Sequence, residues 1–199
     1  MCYSCGVEEF RLRYPLDASS LVLDAGAFRG DFIAWCRGRW DCRVIAFEPT
    51  DAFFRDVTRR FEGDKHVRIL NYGVGGKTES VPIAIQSDAT SVYLDAHRAP
   101  GGTETVLIKD VVEVFAELMI ERVDLFKINI EGGEYALLPR MLDSGLVPRV
   151  RYFQVQYHAI GAGPEGPGAA RDRIRTQLDK THKEEWCVHG GRWESWALR

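Results

Sequence analysis

The sequence lacks the features that mark membrane-spanning, secreted and nucleic-acid-binding proteins. In 199 residues no uninterrupted apolar run approaches the ~20 residues that a membrane span needs. The first ten residues, MCYSCGVEEF, lack the basic stretch followed by an apolar stretch that is typical of a secretory signal. There is no basic excess, because 26 Lys and Arg stand against 29 Asp and Glu and give a net charge of −3. We therefore expect a cytoplasmic protein with no nucleic-acid or membrane partner.

Cysteine is scarce as well. The five cysteines are an odd number spread over the whole chain, which does not suit a secreted disulfide framework. Cys2 and Cys5 form one C-x-x-C, but a structural zinc site would need two further ligands at a similar spacing, and there is no second C-x-x-C. The sequence therefore predicts reduced thiols and no metal.

The composition is that of a globular domain, with 45% hydrophobic and 28% charged residues. We expect an N-terminal arm over residues 1–20 and a single domain over residues 21–199. The pattern leaves the oligomeric state open.

Apolar runs of strand length alternate with segments of helical periodicity, which is typical of a βαβ series with a parallel sheet. The predicted strands are 21–23, 43–47, 67–71, 81–86, 105–108, 123–130 and 151–157, and the predicted helices are 31–38, 52–61, 109–118, 134–142 and 169–183. The tail, 185–198, has a turn at residues 189–191 and is typical of an antiparallel hairpin. The pattern predicts an α/β fold with a mostly parallel sheet and a C-terminal antiparallel hairpin.

The turn after the first predicted strand carries glycines. In the segment DAGAFRG, residues 24–30, Gly26 lets the backbone approach a ligand, and the free N–H groups near Gly30 favour an anionic group. Phe28 and Asp31 stand where a dinucleotide fingerprint G-x-G-x-x-G would have its second and third glycines. The turn is therefore better suited to a carboxylate than to a pyrophosphate. A tight turn with glycine for geometry alone is the alternative.

Glu48 ends the second predicted strand, about 20 positions after Gly26, where an acidic residue can accept both hydroxyls of a ribose. A helix-capping acid is the alternative for Glu48 taken alone. Together the two positions indicate a nucleoside with a small charged tail, and S-adenosylmethionine fits that description.

Four ordered motifs resemble the FkbM-type S-adenosylmethionine-dependent methyltransferase family. They are VLDAGA with the following Gly30 (residues 22–30), AFEP (46–49), NYGVG (71–75) and DLFKINIEGGE (124–134). Each motif alone is weakly specific, and the ordered set is specific. The resemblance implies a Rossmann-like class I methyltransferase fold with a seven-stranded sheet whose last strand inserts antiparallel. It also implies O-methylation of a hydroxyl, often on a sugar or natural-product scaffold.

The resemblance also implies the cofactor-binding residues by position. The methionine end of S-adenosylmethionine would be held by Asp24, Gly26, Ala27 and Gly30, the ribose by Glu48, and the adenine would lie beside Asn71, Tyr72, Gly73 and Val74. Asn129, which we count with the cofactor-binding residues, stands where the family usually has aspartate. That departure weakens any shared role there in proton transfer or metal binding.

Two residues are candidate general bases for methyl transfer to a hydroxyl. His158 follows the strand 151–157 and has an ordinary pKa of about 6.5, and Glu131 follows the strand 123–130 at the same sheet edge. A hydrogen-bonded strand-end histidine and an acid at a helix start are the alternatives. The aromatic residues Trp35, Phe53, Tyr157, Trp186, Trp193 and Trp196 are assigned to packing.

The predicted function is an O-methyltransferase for a small-molecule or saccharide acceptor. An NAD(P)-dependent oxidoreductase shares the βαβ logic, although Phe28 in place of a glycine argues against it. A nucleoside-binding domain that has lost catalysis is the third alternative, and Asn129 is its motivation.

Overall fold

A computed structural model describes residues 12–85, 90–91 and 103–199 of the chain. Cys2 and Cys5, and with them the predicted C-x-x-C, lie outside the described residues. Of the predicted arm, the described part packs on the domain: Tyr14 and Leu16 are buried, and the Tyr14 hydroxyl donates to Ser195 Oγ at 2.9 Å.

The described elements follow the predicted alternation of strands and helices. In chain order the strands are β1 (Leu21–Ala25), β2 (Arg43–Phe47), β3 (Val67–Leu70), β4 (Gly73–Gly75), β5 (Glu79–Ile85), β6 (Thr90–Ser91), β7 (Thr103–Asp110), β8 (Val123–Ile128), β9 (Val150–Gln156), β10 (His182–Val188) and β11 (Trp193–Leu198). The helices are α1 (Asp31–Trp40), α2 (Asp51–Arg60), α3 (Val111–Glu117), α4 (Glu134–Asp143) and α5 (Gly166–Leu178), with short 3-10 turns at Val147–Arg149 and His189–Gly191. None of the described helices is long and apolar enough to cross a bilayer.

The main sheet has seven strands in the order β10-β11-β9-β8-β1-β2-β3. The neighbours from β9 through β8 and β1 to β3 pair in parallel, and β11 pairs antiparallel with both β9 and β10. This confirms the predicted parallel sheet, the C-terminal hairpin and the antiparallel insertion of the last strand. The chain winds outward from β1 to β3 and then returns to β8, so the switch in strand order lies between β1 and β8.

A second, four-stranded sheet has the order β4-β7-β5-β6. β4 and β7 pair in parallel, and β5 runs antiparallel to β7 with Glu79 opposite Ile108 and Val81 opposite Val106. The sequence predicted strands at 81–86 and 105–108 but not a sheet of their own.

Several predicted boundaries differ from the structure by a few residues. The helix predicted from residue 109 begins at Val111, because the Asp110 carboxylate caps it by accepting the Val112 N–H at 2.9 Å. The helix predicted to reach residue 183 ends at Leu178, because His182 turns inward as the first residue of β10 and its Nε2 lies 2.9 Å from the Val150 carbonyl oxygen.

The main sheet is apolar on both faces, as a parallel sheet covered by helices must be. Neighbouring residues of the central strands therefore belong to different clusters: Leu23 and Phe126 pack toward α3 and α4, whereas Val22 and Leu125 pack toward α1. The two buried layers hold the strand ends rigidly in place, and those ends carry the site.

Gly30 offers a test of this packing. It has φ +79°, and a Cβ there would lie 2.6 Å from Phe61 Cε2 and 2.7 Å from Val57 Cγ2. We expect Gly30→Ala to lower the free energy of unfolding by about 1–3 kcal/mol, because it adds backbone strain and an overlap with α2. Gly38 lies within α1 with open space around it, so Gly38→Ala is the matched control and should raise the stability by about 0.5–1 kcal/mol. Urea denaturation of both variants measures this, and equal stability of the two would contradict the packing described.

Candidate functional site

A cavity of about 530 Å³ lies at the carboxyl ends of β1, β2 and β8. This is the switch point of the strand order, where open α/β sheets bind ligands, and the volume is in the usual range for small-molecule sites. The second sheet completes the lining with Val81, Ile83 and Ile108.

Gly26 is at the tightest point of the cavity floor. Its φ is +83°, and a Cβ at this position would lie 2.0 Å from the carbonyl oxygen of Asn129. Its N–H donates to the Phe47 carbonyl at the end of β2, at 3.1 Å. The ends of β1, β2 and β8 therefore meet at this residue, and any side chain on it would force them apart.

The structure brings six of the sequence-predicted site residues to the cavity. The lining contains Gly26, Glu48, Gly73, Val74, Asn129 and Glu131. Gly26, Glu48, Asn129 and Glu131 follow the ends of β1, β2 and β8, and Gly73 and Val74 lie in the short strand β4 that comes soon after β3, so the predicted convergence of strand ends is present in the fold.

The other predicted residues lie outside the lining. Asp24 is fully buried and its Oδ1 lies 2.8 Å from Lys127 Nζ. Gly30 and Ala27 are buried against α1 and α2, and the Ala27 N–H donates to the Phe47 carbonyl. Asn71 is exposed and donates from Nδ2 to Asp51 Oδ1 at 2.7 Å. These residues shape the turns that carry the lining.

Tyr72 is also absent from the lining. The centroid of its ring lies 5.7 Å from that of Phe47 and 5.0 Å from Lys109 Nζ. Burial raises the pKa of its hydroxyl.

Glu48 is the buried carboxylate of the cavity, only 5% exposed. Its Oε2 accepts the Phe28 N–H at 2.8 Å, and its Oε1 accepts the Thr50 N–H at 3.0 Å. Burial raises the pKa of Glu48, and the two backbone hydrogen bonds oppose that rise. A carboxylate has about four lone-pair sites, so both oxygens can still accept hydrogen bonds from a ligand.

Asn129 carries an unsatisfied acceptor at the same cavity. Its Oδ1 is buried and has no hydrogen-bond partner among the described residues, while its backbone N–H donates to the Ala25 carbonyl at 3.1 Å. Leaving a buried acceptor unpaired costs about 1–3 kcal/mol, so such an atom marks a place where a ligand donor would be stabilised.

Sequence reasoning missed two aromatic residues of the site. Phe28 and Phe53 both line the cavity, with ring centroids 4.6 Å apart in an edge-to-face arrangement. Phe53 was predicted to pack in the core, but it lies in the first turn of α2, three residues beyond the short Glu48–Thr50 connection. That position at the strand-end edge was the available signal. Tyr157, Trp193 and Trp196 are buried as predicted.

Glu131 and His158, the two predicted bases, lie side by side. Glu131 lines the cavity in a left-handed backbone conformation (φ +49°), which is strained for a residue with a side chain. His158 lies outside the lining, and its Nε2 is 3.3 Å from Glu131 Oε1. Glu131 is therefore part of the cavity lining, whereas His158, which contacts its carboxylate, is not.

Glu134 fixes the position of His158 beside Glu131. It is fully buried, and its Oε1 accepts the His158 backbone N–H at 2.7 Å and lies 3.1 Å from His158 Nδ1. Its Oε2 accepts the Gly132 N–H at 2.9 Å. Burial lowers the pKa of His158, but the hydrogen bonds to Glu131 and Glu134 outweigh it and raise that pKa to about 9. At neutral pH His158 is thus a cation held between two carboxylates.

Charged residues at the opening of the cavity are paired with one another. Lys77 Nζ lies 2.9 Å from Glu79 Oε2, and the Arg140 guanidinium contacts both oxygens of Asp110 at 2.9–3.1 Å. The two basic residues of the lining, Lys77 and Arg140, are therefore each neutralised by a carboxylate.

Comparison with known proteins gives one family and one fold. A model of the methyltransferase FkbM domain matches residues 24–184. No curated protein matches the chain.

Among solved structures, a fibrillarin pre-rRNA processing protein from Methanococcus jannaschii has a TM-score of 0.56 at 12% identity, covering 92% of this chain and 68% of its own. An rRNA methylase from Streptococcus thermophilus has a TM-score of 0.55 at 12% identity, with 92% and 90% covered. The N-terminal domain of human METTL16 in complex with SAH has a TM-score of 0.50 at 12% identity, with 97% and 67% covered. At such low identity the likeness shows the fold, and the predicted Rossmann-like class I methyltransferase fold is confirmed.

The position of His158 between the carboxylates of Glu131 and Glu134 predicts a pH dependence of stability. Because the pKa is raised from about 6.5 in the unfolded chain to about 9 in the fold, the stabilisation is complete below pH 6.5 and is lost as the pH rises through 9. A shift of this size corresponds to on the order of 3 kcal/mol. We expect the free energy of unfolding of the wild type, relative to that of His158→Gln, to fall between pH 6 and pH 9.5 in urea titrations. The control is His182→Gln. Burial lowers the pKa of His182 in the fold, so the stability difference between the wild type and this variant should change with pH only below pH 6.5. If the difference in free energy of unfolding between the wild type and His158→Gln did not change with pH, the raised pKa of His158 would be contradicted.

Proposed function

The chain belongs to the FkbM methyltransferase family, and from that membership we propose that it transfers the methyl group of S-adenosylmethionine to a hydroxyl of a small-molecule or saccharide acceptor. The observation that carries the proposal is a single cavity that combines the buried Glu48 carboxylate with the unpartnered Asn129 Oδ1. The first can accept hydroxyl donors, and the second can accept a donor on a charged tail.

The residues present fit the donor molecule. Glu48 would accept the ribose hydroxyls with its remaining lone pairs, and Asn129 Oδ1 would accept an N–H of the methionine ammonium. Gly26 leaves room where a Cβ would collide with backbone, so the turn can lie directly against the ligand. The nucleoside with a charged tail that the sequence predicts thus has a complementary group at each end.

The base of the nucleoside would lie between β4 and the aromatic pair. Gly73 and Val74 line that part of the cavity together with Pro49, Phe28 and Phe53. Flat, apolar surfaces of this kind suit an adenine ring, which stacks on aromatic faces and edges.

Five residues that the resemblance assigns to the cofactor do not line the cavity. In this proposal they support the segments that do, and they are Asp24, Ala27, Gly30, Asn71 and Tyr72. Each is bonded or packed within the turns that carry the lining. We propose indirect roles for them.

When bound, S-adenosylmethionine supplies a methyl group that its sulfonium has already activated. The protein has to orient the acceptor oxygen, exclude water and remove one proton. Glu131 is our candidate for accepting that proton, because it lines the cavity just beyond the end of β8 and its side chain is partly exposed. His158 is protonated at neutral pH and acts as a positioning residue that holds the Glu131 carboxylate at the lining.

The acceptor would enter beside the second sheet. Val81, Ile83 and Ile108 form an apolar wall there, and the paired charges of Lys77 and Glu79 lie at its edge. A neutral molecule with at least one hydroxyl suits this surface.

RNA is the competing acceptor, because two structures with the same fold are titled a pre-rRNA processing protein and an rRNA methylase. The balanced charge of this chain argues against RNA.

Binding of S-adenosylhomocysteine, the demethylated product, tests the donor site. We expect it to raise the Tm of the wild type by several degrees, since a ligand at 100 times its Kd stabilises the fold by about 2.7 kcal/mol. Glu48→Gln should lose most of this rise relative to its own ligand-free Tm, because the amide keeps only one acceptor oxygen. Glu62→Gln, an exposed change away from the cavity, is the control and should keep it. The absence of any rise in the wild type would refute the proposal.

Transfer of a tritiated methyl group tests the acceptor and the base. The panel contains phenols, aliphatic alcohols, saccharides and rRNA, and we expect label in a hydroxylated small molecule or saccharide. Glu131→Gln should lower kcat about 10²- to 10⁴-fold and leave the S-adenosylhomocysteine Tm rise unchanged, whereas exposed Glu121→Gln should leave both unchanged. Label in rRNA alone would overturn the acceptor class. Ligand binding without transfer to any acceptor would favour a nucleoside-binding domain that has lost catalysis.

A further inference from the structure

Lys127 is a buried cation beneath the cavity that the proposed chemistry does not use. It lies in β8, between apolar residues, with a side chain only 4% exposed. Lysine is almost never buried unless its charge is compensated, because an unpaired ammonium in the interior costs several kcal/mol. Its partners therefore show what holds it there.

The Lys127 ammonium contacts the end of β1 and the turn that follows it. Nζ lies 2.8 Å from Asp24 Oδ1, donates to the Gly26 carbonyl at 2.7 Å and reaches the Ala25 carbonyl at 3.4 Å. Asp24 is itself fully buried and supplies the compensating charge. One side chain of β8 thus ties down the backbone turn that forms the cavity floor.

This contact completes the immobilisation of Gly26. Its N–H is bonded to Phe47 of β2, its α-carbon lies against the Asn129 carbonyl of the β8 end, and its own carbonyl is bonded to Lys127. With donor and acceptor both engaged, the peptide groups of the turn cannot rotate without breaking a charge-assisted hydrogen bond. The orientation of the turn relative to Glu48 and Asn129 is therefore set before any ligand arrives.

Lys127 also acts on Glu48 through its charge. Burial raises the pKa of Glu48, and the positive charge of Lys127 opposes this, together with the hydrogen bonds from Phe28 and Thr50. The ammonium thereby favours the ionised carboxylate, which is the form that accepts ribose hydroxyls.

We propose that Lys127 is a positioning residue for donor binding, which holds the Gly26 turn in its binding orientation without touching the ligand. The inference rests on the proposed function, since it concerns the same donor site. It adds a role in affinity to a residue that could otherwise be taken for a structural ion pair.

The test measures S-adenosylhomocysteine affinity by calorimetry in Lys127→Met and in the double variant Asp24→Asn with Lys127→Met. The double variant removes both charges, so it remains interpretable if the single change, which leaves Asp24 unpaired, fails to fold. We expect Kd to rise at least tenfold in each folded variant. In Lys127→Met the loss of affinity on acidification should begin at a higher pH than in the wild type, because Glu48 protonates more readily without the cation.

Arg175→Met is the matched control. Arg175 NH1, in α5, lies 2.6 Å from another fully buried carboxylate, that of Glu194 in β11, and neither residue lines the cavity. It should lower Tm and leave Kd within twofold of the wild type. A wild-type Kd in the double variant, or an equal rise in Arg175→Met, would overturn the positioning role while leaving the proposed function intact. A wild type that does not bind S-adenosylhomocysteine would overturn both.

Discussion

The close approach of two strand ends at Gly26 is the constraint on which the site depends. The backbone of Gly26 lies so near the Asn129 carbonyl that a Cβ would be 2.0 Å from its oxygen. The same residue is bonded to Phe47 through its N–H and to Lys127 through its carbonyl. The ends of β1, β2 and β8 are thereby fixed relative to one another. Because Glu48 and Asn129 follow directly on two of these ends, their distance across the cavity is fixed by the same contacts.

Buried carboxylates organise the rest of the site, and each is held by hydrogen-bond donors or by a cation of the chain. Glu48 accepts two backbone N–H groups, Asp24 pairs with Lys127, and Glu134 accepts from Gly132 and the strand-end histidine. Removing a partner from such a group leaves an unsatisfied buried charge, which costs far more than a surface ion pair contributes. The network therefore fixes the side of the cavity where we propose that the donor binds, while the second sheet contributes the apolar residues Val81, Ile83 and Ile108 to the rest of the lining.

The sequence predicted which strand ends converge better than it predicted which side chains point into the cavity. Motif spacing identified Gly26 and Glu48, and the family resemblance added Asn129. All three line the cavity, because parallel strands bring their carboxyl ends to one edge. Neither separated these residues from Asp24, which does not line the cavity and pairs with a lysine about 100 residues away in the chain. Phe28 was read only as a missing glycine, although its ring is part of the lining. Side-chain direction at a turn depends on φ and on neighbours from other elements, neither of which appears in spacing.

By itself the sequence determined the alternation of strands and helices, the mostly parallel sheet, the C-terminal hairpin and the family motifs, because hydrophobic periodicity and glycine placement are local properties. Only the tertiary structure decided the second sheet, the pairing of His158 with Glu131 and Glu134, and the contacts of Lys127 with the Gly26 turn. The charge state of His158 shows why: its pKa of about 9 comes from two carboxylates more than 20 residues away in sequence, brought within 3.3 Å by the fold. A long-range electrostatic contact of this kind follows from strand order and burial together, and no stretch of sequence contains either.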